Sequence, residues 1–208
     1  MQVLPSSEYR QEAMQRLVRG VTFFKDIAKL DPDQFELLLS VCQFVHADAG
    51  EVVLEKGAEA STLYFLLKGQ MSVLNEGETN LNVIHPGEVF GTLSMVTGRG
   101  RSASVRAESD VVLMGIDFKH FNDVNDFSMF TLDTKLVAYR MVVHNIRWNL
   151  ELNRMKDPTH VLTPRILKLP IYTGARGGKE ELTFLYEQSR ALAELLVEWN
   201  DSLQEEGA

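Results

Sequence analysis

The stretch GEVFGTLSMVTGRGRSASV, residues 87–105, has the most distinctive pattern in the chain. It contains four glycines and two arginines, Arg99 and Arg101, and no acidic residue lies between Glu88 and Glu108. Glycine lets a backbone approach a ligand closely, and the N–H groups of a short helical turn attract anions. Since the chain as a whole is acidic, this stretch predicts a local anion-binding loop.

The composition limits the kinds of protein that the chain can be. It has 208 residues, 45% of them hydrophobic, and a formal net charge of -8. This length supports one hydrophobic core with a helical appendage. Binding to nucleic acid requires a basic face, so the negative charge argues against it. We therefore expect no DNA partner.

The residues that carry chemistry do not predict a metal centre or a catalytic site. Cys42 is the only cysteine, and the five histidines are scattered, so we predict no disulfide and no metal site. Glu88, Asp117 and His120 form no recognised acid–base or nucleophile arrangement, and we expect no enzyme. No apolar run approaches the roughly 20 residues of a membrane helix, and the N-terminal residues resemble no signal peptide. We expect no membrane insertion and a cytoplasmic location.

From Gly50 onward, the hydrophobic pattern has a period of two in short segments that are separated by glycine turns. Such segments are typical of antiparallel barrels and sandwiches. The region is short, which favours one small barrel. The predicted strands are residues 51–54, 63–68, 71–75, 80–84, 102–107 and 111–117.

Helical periodicity precedes this region. Residues 8–44 carry apolar side chains at steps of three and four. Asp31 followed by Pro32 predicts the start of a second helix, because aspartate caps helix N-termini and proline fits the first turn.

A long helix is predicted over residues 127–155, followed by an extended connector and a final helix over 180–204. The long helix is expected to fold back over the barrel, to form a homodimer through a heptad-like seam, or to do both. The apolar members of that seam are Leu136, Tyr139, Val143, Ile146 and Leu150. We predict two domains, residues 8–155 and 156–208.

Together these patterns predict an α+β fold. A small antiparallel, jelly-roll-like β-barrel is flanked by N-terminal helices and a long C-terminal dimerisation helix, and a helical tail follows.

The order of these elements and the stretch PGEVFGTLSMVTGRGRSASVRA resemble the cyclic nucleotide-binding domain family over roughly residues 17–155. The family's phosphate-binding segment reads Phe-Gly-Glu-Leu, a short loop, and then Arg-(Ala/Ser)-Ala-(Ser/Thr/hydrophobic)-Val-Arg-Ala. The matching residues are Phe90, Gly91, Leu93, Arg101, Ser102, Ala103, Val105, Arg106 and Ala107. The resemblance implies that the ligand phosphate is held by Gly91, Thr92, Leu93, Arg101 and Ser102, with Arg101 supplying a permanently charged, planar fork.

The sequence departs from the family at Thr92, where the family has the glutamate that accepts a hydrogen bond from the ribose 2′-hydroxyl. A charge-assisted bond contributes about 1.5–3 kcal/mol and a neutral one about 1, so this change predicts affinity reduced by about tenfold. The expected ligand is cAMP or cGMP. A cyclic dinucleotide and a pocket without any ligand are the alternatives.

The resemblance also suggests residues for the ribose and the base. The candidates are Phe90, Thr92, Ala103, Asn145, Arg147 and Trp148, the last three on the long helix, where they provide amide, guanidinium and stacking groups. The chain is thus predicted to be a non-enzymatic cyclic-nucleotide sensor or adaptor that signals through its long helix and tail to a protein partner. A ligand-free scaffold for protein interactions is the alternative.

Overall fold

The computed structural model describes residues 1–5, 12–75 and 80–205, with side chains described as far as Ser202. The predicted helix start at Glu8 and the turn glycine Gly77 lie outside these residues. The chain divides into two compact units, residues 1–120 and 121–208. The predicted domain organisation, with a boundary after residue 155, stays a prediction.

Three helices begin the first unit: α1 (Glu12–Gly20), α2 (Thr22–Leu30) and α3 (Pro32–Ser40). The predicted start of α3 is confirmed, because the Asp31 carboxylate accepts hydrogen bonds from the backbone N–H groups of Asp33 and Gln34 at 3.0 and 3.1 Å.

The prediction of helix as far as Phe44 is wrong. The helix ends at Ser40, and Cys42–Ala47 forms a strand that pairs along its whole length with another strand, Val111–Asp117. Because the strand is buried at Cys42, Phe44 and Val45, its apolar residues also fit a helical spacing.

Nine strands are described in two antiparallel sheets. One sheet has the order β1-β2-β9-β4-β7 and the other β3-β8-β5-β6, so the strands form two sheets that do not close into a barrel. The strands are β1 (Gln2–Val3), β2 (Cys42–Ala47), β3 (Val52–Leu54), β4 (Thr62–Lys68), β5 (Met71–Leu74), β6 (Asn80–Ile84), β7 (Val89–Phe90), β8 (Ser104–Ala107) and β9 (Val111–Asp117).

The core of the first unit draws on both sheets. Leu66 and Leu113 from one sheet and Met71 and Val105 from the other belong to one buried cluster. The inward residues alternate with more exposed ones, as in β8, where Val105 and Ala107 are buried. A short helix, α4 (Thr92–Thr97), interrupts the strands between β7 and β8.

Helices make up the rest of the chain: α5 (Lys119–Asn122), α6 (Leu132–Lys156), α7 (Thr163–Leu167) and α8 (Lys179–Glu205). The long helix begins at Leu132 rather than at Phe127, because the Thr131 hydroxyl caps it by accepting the Thr134 N–H. The predicted connector contains α7, with a proline in its first turn. No helix of the described residues is long and apolar enough to cross a membrane.

In the second unit, α6 packs against α8. The Arg140 guanidinium donates two hydrogen bonds to the Glu181 carboxylate, at 2.9 and 2.7 Å, and the Tyr139 and Tyr186 rings meet edge to face. The predicted dimer seam is wrong at its apolar positions, because they are buried within the chain itself: Leu136, Tyr139, Val143, Ile146 and Leu150.

Candidate functional site

A cavity of about 320 Å³ opens in the first unit. Strand β3, the loop that follows it, the start of β4 and one arginine form its walls. Its volume lies at the lower end of the range for small-molecule sites. The lining residues are Val52, Val53, Leu54, Glu55, Ala58, Glu59, Ser61, Thr62, Tyr64 and Arg101.

Arg101 is the cationic group of this cavity. Its side chain is buried, with 6% of the residue's surface exposed. The Nη2 atom donates to the Thr62 carbonyl oxygen at 2.7 Å, and Nη1 lies 3.5 Å from the Gly91 carbonyl oxygen. Nε is buried and has no hydrogen-bond partner in the described part of the chain.

The electrostatic state of Arg101 follows from this burial. No described carboxylate forms an ion pair with it, and its side-chain hydrogen bonds go to the carbonyl oxygens of Thr62 and Gly91. Burial therefore lowers the pKa of the Arg101 guanidinium. Arginine nevertheless keeps its charge at neutral pH. A buried, unpaired cation with a free donor is an arrangement that an anion stabilises.

The backbone of Arg101 is held by the loop that follows β3. The Arg101 N–H donates to the Ala58 carbonyl oxygen at 2.9 Å, and the Gly57 N–H donates to the Arg101 carbonyl oxygen at 2.8 Å. At Gly100, a Cβ atom would lie 2.8 Å from the Gly57 carbonyl oxygen, so this close approach requires glycine. The two loops are thus fixed to each other, and the position of Arg101 is fixed with them.

Gly91 joins β7 to α4 and supports the guanidinium. Its φ of +86° lies in the left-handed region that glycine adopts without strain. A Cβ atom there would overlap Arg101 Nη1 and lie 3.3 Å from the Thr62 carbonyl oxygen. Glycine at position 91 thus makes room for the Arg101 guanidinium. The role predicted for Gly91 in phosphate binding stays a prediction.

The other predicted phosphate residues differ in their surroundings. Thr92 and Leu93 are buried in the first turn of α4, whereas Ser102 is exposed. None of these three lines the cavity. The roles predicted for them in phosphate or ribose binding stay predictions.

The predicted ribose and base residues lie in both units. Phe90 is buried and stacks on Tyr64, with ring centroids 5.6 Å apart, and Ala103 is half-buried. Asn145, Arg147 and Trp148 belong to α6 in the second unit; Trp148 is exposed, and the other two are half-buried. The base-binding roles predicted for these three stay predictions.

Most residues of the cavity wall belong to no motif that the sequence displays. Thr62 and Tyr64 alternate along β4, and this period-two pattern is the one signal that placed their side chains on one face. Glu55 and Glu59 are exposed carboxylates in the loop after β3. They add negative charge to a cavity whose other charged lining group is Arg101.

Over residues 1–5, 12–75 and 80–205, no group of three or more histidine, cysteine, aspartate or glutamate side chains could hold a metal ion. The chemistry available in the cavity is therefore that of one guanidinium, two carboxylates and the hydroxyls of Ser61, Thr62 and Tyr64. This set is suited to binding a small anion that also carries hydrogen-bond donors.

Comparison with known proteins gives a family match that contains the cavity. A sequence model of the cyclic nucleotide-binding domain matches residues 44–126. Human cGMP-dependent protein kinase 2 is 26% identical over 123 residues, which are 56% of this chain and 16% of the kinase. The human potassium/sodium hyperpolarization-activated cyclic nucleotide-gated channel 3 is 28% identical over 154 residues, 73% of this chain and 20% of the channel.

The fold is also found in a solved structure. A cyclic nucleotide-binding domain from Methylobacillus flagellatus superposes with a TM-score of 0.56 at 16% identity, covering 76% of this chain and 97% of that one. The aligned region thus spans a fifth or less of the two curated relatives, while it covers nearly all of the isolated bacterial domain.

Proposed function

We propose that the cyclic nucleotide-binding domain formed around residues 44–126 takes cAMP or cGMP as its ligand and holds the phosphate on Arg101. One observation carries this proposal: Arg101 is buried, lines the cavity, and has an Nε donor without a partner in the described residues. A phosphodiester oxygen accepts from that donor and neutralises the charge, so binding removes the cost of an uncompensated buried cation.

The charges of the cavity favour a ligand with a single negative charge. Arg101 provides one buried positive charge, and Glu55 and Glu59 are carboxylates on the wall. A cyclic mononucleotide places one anionic phosphate on the guanidinium. The ribose hydroxyl and the amino or imino groups of the base can donate hydrogen bonds to carboxylate and hydroxyl oxygens of the cavity.

The charges of the lining favour a mononucleotide over a cyclic dinucleotide. A cyclic dinucleotide has twice the atoms and carries a second phosphate, for which the lining offers no second cation.

We further propose that the domain acts as a non-enzymatic sensor in the cytoplasm. The names of the two human relatives connect the kinase with cGMP and the channel with cyclic-nucleotide gating. By analogy, ligand binding in this chain biases a conformational equilibrium that the long helix and the C-terminal tail report to a protein partner. The proposal includes a homodimer through residues 127–155, at positions other than the seam residues that are buried within the chain.

Isothermal titration calorimetry tests the ligand proposal. The parent protein is titrated with cAMP, cGMP, a cyclic dinucleotide and AMP. We expect one site per chain for cAMP or cGMP and weaker binding of the other two.

Arg101→Met is compared with Arg99→Met, which removes an exposed arginine two residues away. Loss of binding in the first variant alone supports the proposal. No heat with any nucleotide contradicts it and favours the ligand-free scaffold.

A further inference from the structure

The segment that joins α6 to α8 is basic, although the chain as a whole is acidic. Residues 158–179, the basic connector, contain no aspartate or glutamate, but they contain Arg165, Lys168, Arg176 and Lys179. The whole chain has a formal net charge of -8. This segment therefore differs in the sign of its charge from the rest of the chain.

The basic connector also exposes large aliphatic side chains. Val161, Leu167 and Ile171 are 77%, 64% and 75% exposed, and they are the three most exposed large hydrophobic residues of the described chain. Single exposed apolar residues are ordinary, whereas a group of them marks a surface that binds a protein or a membrane. Three within residues 161–171 form such a group.

The fold holds these side chains at the surface. Leu162 and Ile166, at the start of α7 and within it, are buried and attach the connector to the core of the second unit. The Gln188 side chain of α8 donates a hydrogen bond to the Pro170 carbonyl oxygen. Each exposed aliphatic residue directly adjoins one of these anchored residues, so it faces away from the core.

Lys168 provides a positive charge beside one of these aliphatic side chains. It is exposed and follows Leu167, and its ammonium group has no hydrogen-bond or ion-pair partner among the described residues. Arg176 is also exposed. Arg165, by contrast, pairs with Glu198 at 2.6 Å, which neutralises its charge. The connector thus combines an unpaired cation with exposed hydrocarbon.

We propose that the basic connector attaches the protein peripherally to an anionic lipid surface. The headgroups supply the negative charge that attracts Lys168 and Arg176, and the hydrocarbon beneath them takes up Leu167 and Ile171. Attachment of this kind depends on buried apolar area together with attraction to anionic lipids, and it needs no membrane-spanning helix. It does not depend on a bound nucleotide, so it stands or falls separately from the ligand proposal.

The separation of the aliphatic residues favours a lipid surface over a folded protein. Protein interfaces bind mainly through aromatic or arginine anchors that fill shaped pockets. Val161, Leu167 and Ile171 are instead spaced along the connector, with Arg165 and Lys168 between them. A fluid surface takes up each side chain without a shaped pocket, and the basic residues between them meet headgroups.

Sedimentation of the full chain with lipid vesicles, in the absence of nucleotide, tests the proposal. Vesicles of phosphatidylcholine alone are compared with vesicles that also contain phosphatidylserine. We expect binding to the anionic vesicles that weakens as salt is added, because salt screens exposed charges. No binding to the anionic vesicles, or equal binding to both kinds, overturns the proposal.

Lys29 and Leu30 provide a matched control, because they are an exposed lysine and an exposed leucine side by side in the first unit, before Asp31. Leu167→Glu and Lys168→Gln are compared with Leu30→Glu and Lys29→Gln, which change the net charge equally. We expect vesicle partitioning to fall at least about tenfold for Leu167→Glu and about fivefold for Lys168→Gln, with the controls unchanged. Equal losses in the controls overturn the proposal. Helical circular dichroism checks that each variant is folded.

Ile171→Ser and poly-glutamate distinguish lipid from an acidic protein partner. Ile171→Ser removes an apolar side chain without adding charge, so it should weaken binding to anionic vesicles several-fold. Vesicle binding that Ile171→Ser leaves unchanged, or poly-glutamate binding as tight as vesicle binding, indicates an acidic protein partner and overturns the proposal.

Discussion

Replacing Arg101 by methionine should change stability and ligand affinity in opposite directions. The substitution keeps an unbranched side chain of similar reach and removes the charge and all the N–H donors. In the ligand-free protein, the guanidinium has one good hydrogen bond, to the Thr62 carbonyl oxygen at 2.7 Å, and an Nε donor without a partner in the described residues.

The magnitude follows from these contacts. A buried unsatisfied donor costs about 1–3 kcal/mol, and removing a charge from water costs several kcal/mol more. Losing a hydrogen bond from a charged donor costs about 1.5–3 kcal/mol. We therefore expect Arg101→Met to raise the free energy of unfolding of the ligand-free protein by about 1–3 kcal/mol, with a melting temperature higher by about 4 °C per kcal/mol.

The affinity for cyclic nucleotide should fall at the same time. Two charge-assisted bonds to a phosphate contribute about 1.5–3 kcal/mol each, so the loss is at least about 100-fold. Denaturant unfolding and calorimetry on Arg101→Met and Arg99→Met measure both quantities. If Arg101→Met destabilises the ligand-free protein by about 1 kcal/mol or more while Arg99→Met does not, Arg101 is a structural group and the reasoning is refuted.

Three further predictions concern single contacts. Gly91→Ala should lower the unfolding free energy by about 1–3 kcal/mol in denaturant titrations, because it forces a left-handed φ on alanine. It should also weaken nucleotide binding, because the added Cβ pushes the Arg101 guanidinium aside. Unchanged affinity would contradict this. Hydrogen bonds from the Arg140 guanidinium lower the pKa of the Glu181 carboxyl in the folded protein. The stability that this ion pair provides is therefore fully present above the unfolded-state pKa of about 4.3. It is lost as the pH falls through the lower folded-state pKa. Below about pH 4.3, the melting temperature should thus fall more steeply with decreasing pH for the parent than for Glu181→Gln. An equal pH dependence in the two proteins would count against the ion pair. Tyr139→Phe should cost about 1–3 kcal/mol in unfolding experiments, because it removes the 2.9 Å bond to the buried Phe121 carbonyl oxygen; a neutral effect would mean that water replaces the hydroxyl.

Local patterns predicted the elements that local interactions decide. The N-cap at Asp31 was predicted because the cap depends on residues two and three positions away. The strand Asn80–Ile84 was predicted with its observed bounds. By contrast, Cys42–Ala47 becomes a strand through pairing with β9, about 70 residues along the chain, and its apolar residues fit both periods.

The remaining differences depend on contacts that a single sequence does not specify. Helix α6 carries apolar residues on more than one side, yet Ile146 and Leu150 are buried and Trp148 is exposed. The arginine at position 101 was predicted from its motif. The rest of the cavity wall, which includes Glu55 and Tyr64, depends on the pairing of β4 with β9 and on hydrogen bonds between Arg101 and the loop after β3.

Nitrogen-15 NMR of the arginine side chains tests most directly whether the Arg101 Nε–H donates a hydrogen bond to the ligand phosphate. The Nε–H resonance of Arg101 is assigned by its loss in Arg101→Met, and that of Arg99 by its loss in Arg99→Met. At saturating cAMP or cGMP, we predict that the Arg101 resonance shifts as it gains a charged acceptor, while the Arg99 resonance stays in place. Nucleotide binding that leaves the Arg101 Nε–H resonance unmoved would contradict this account.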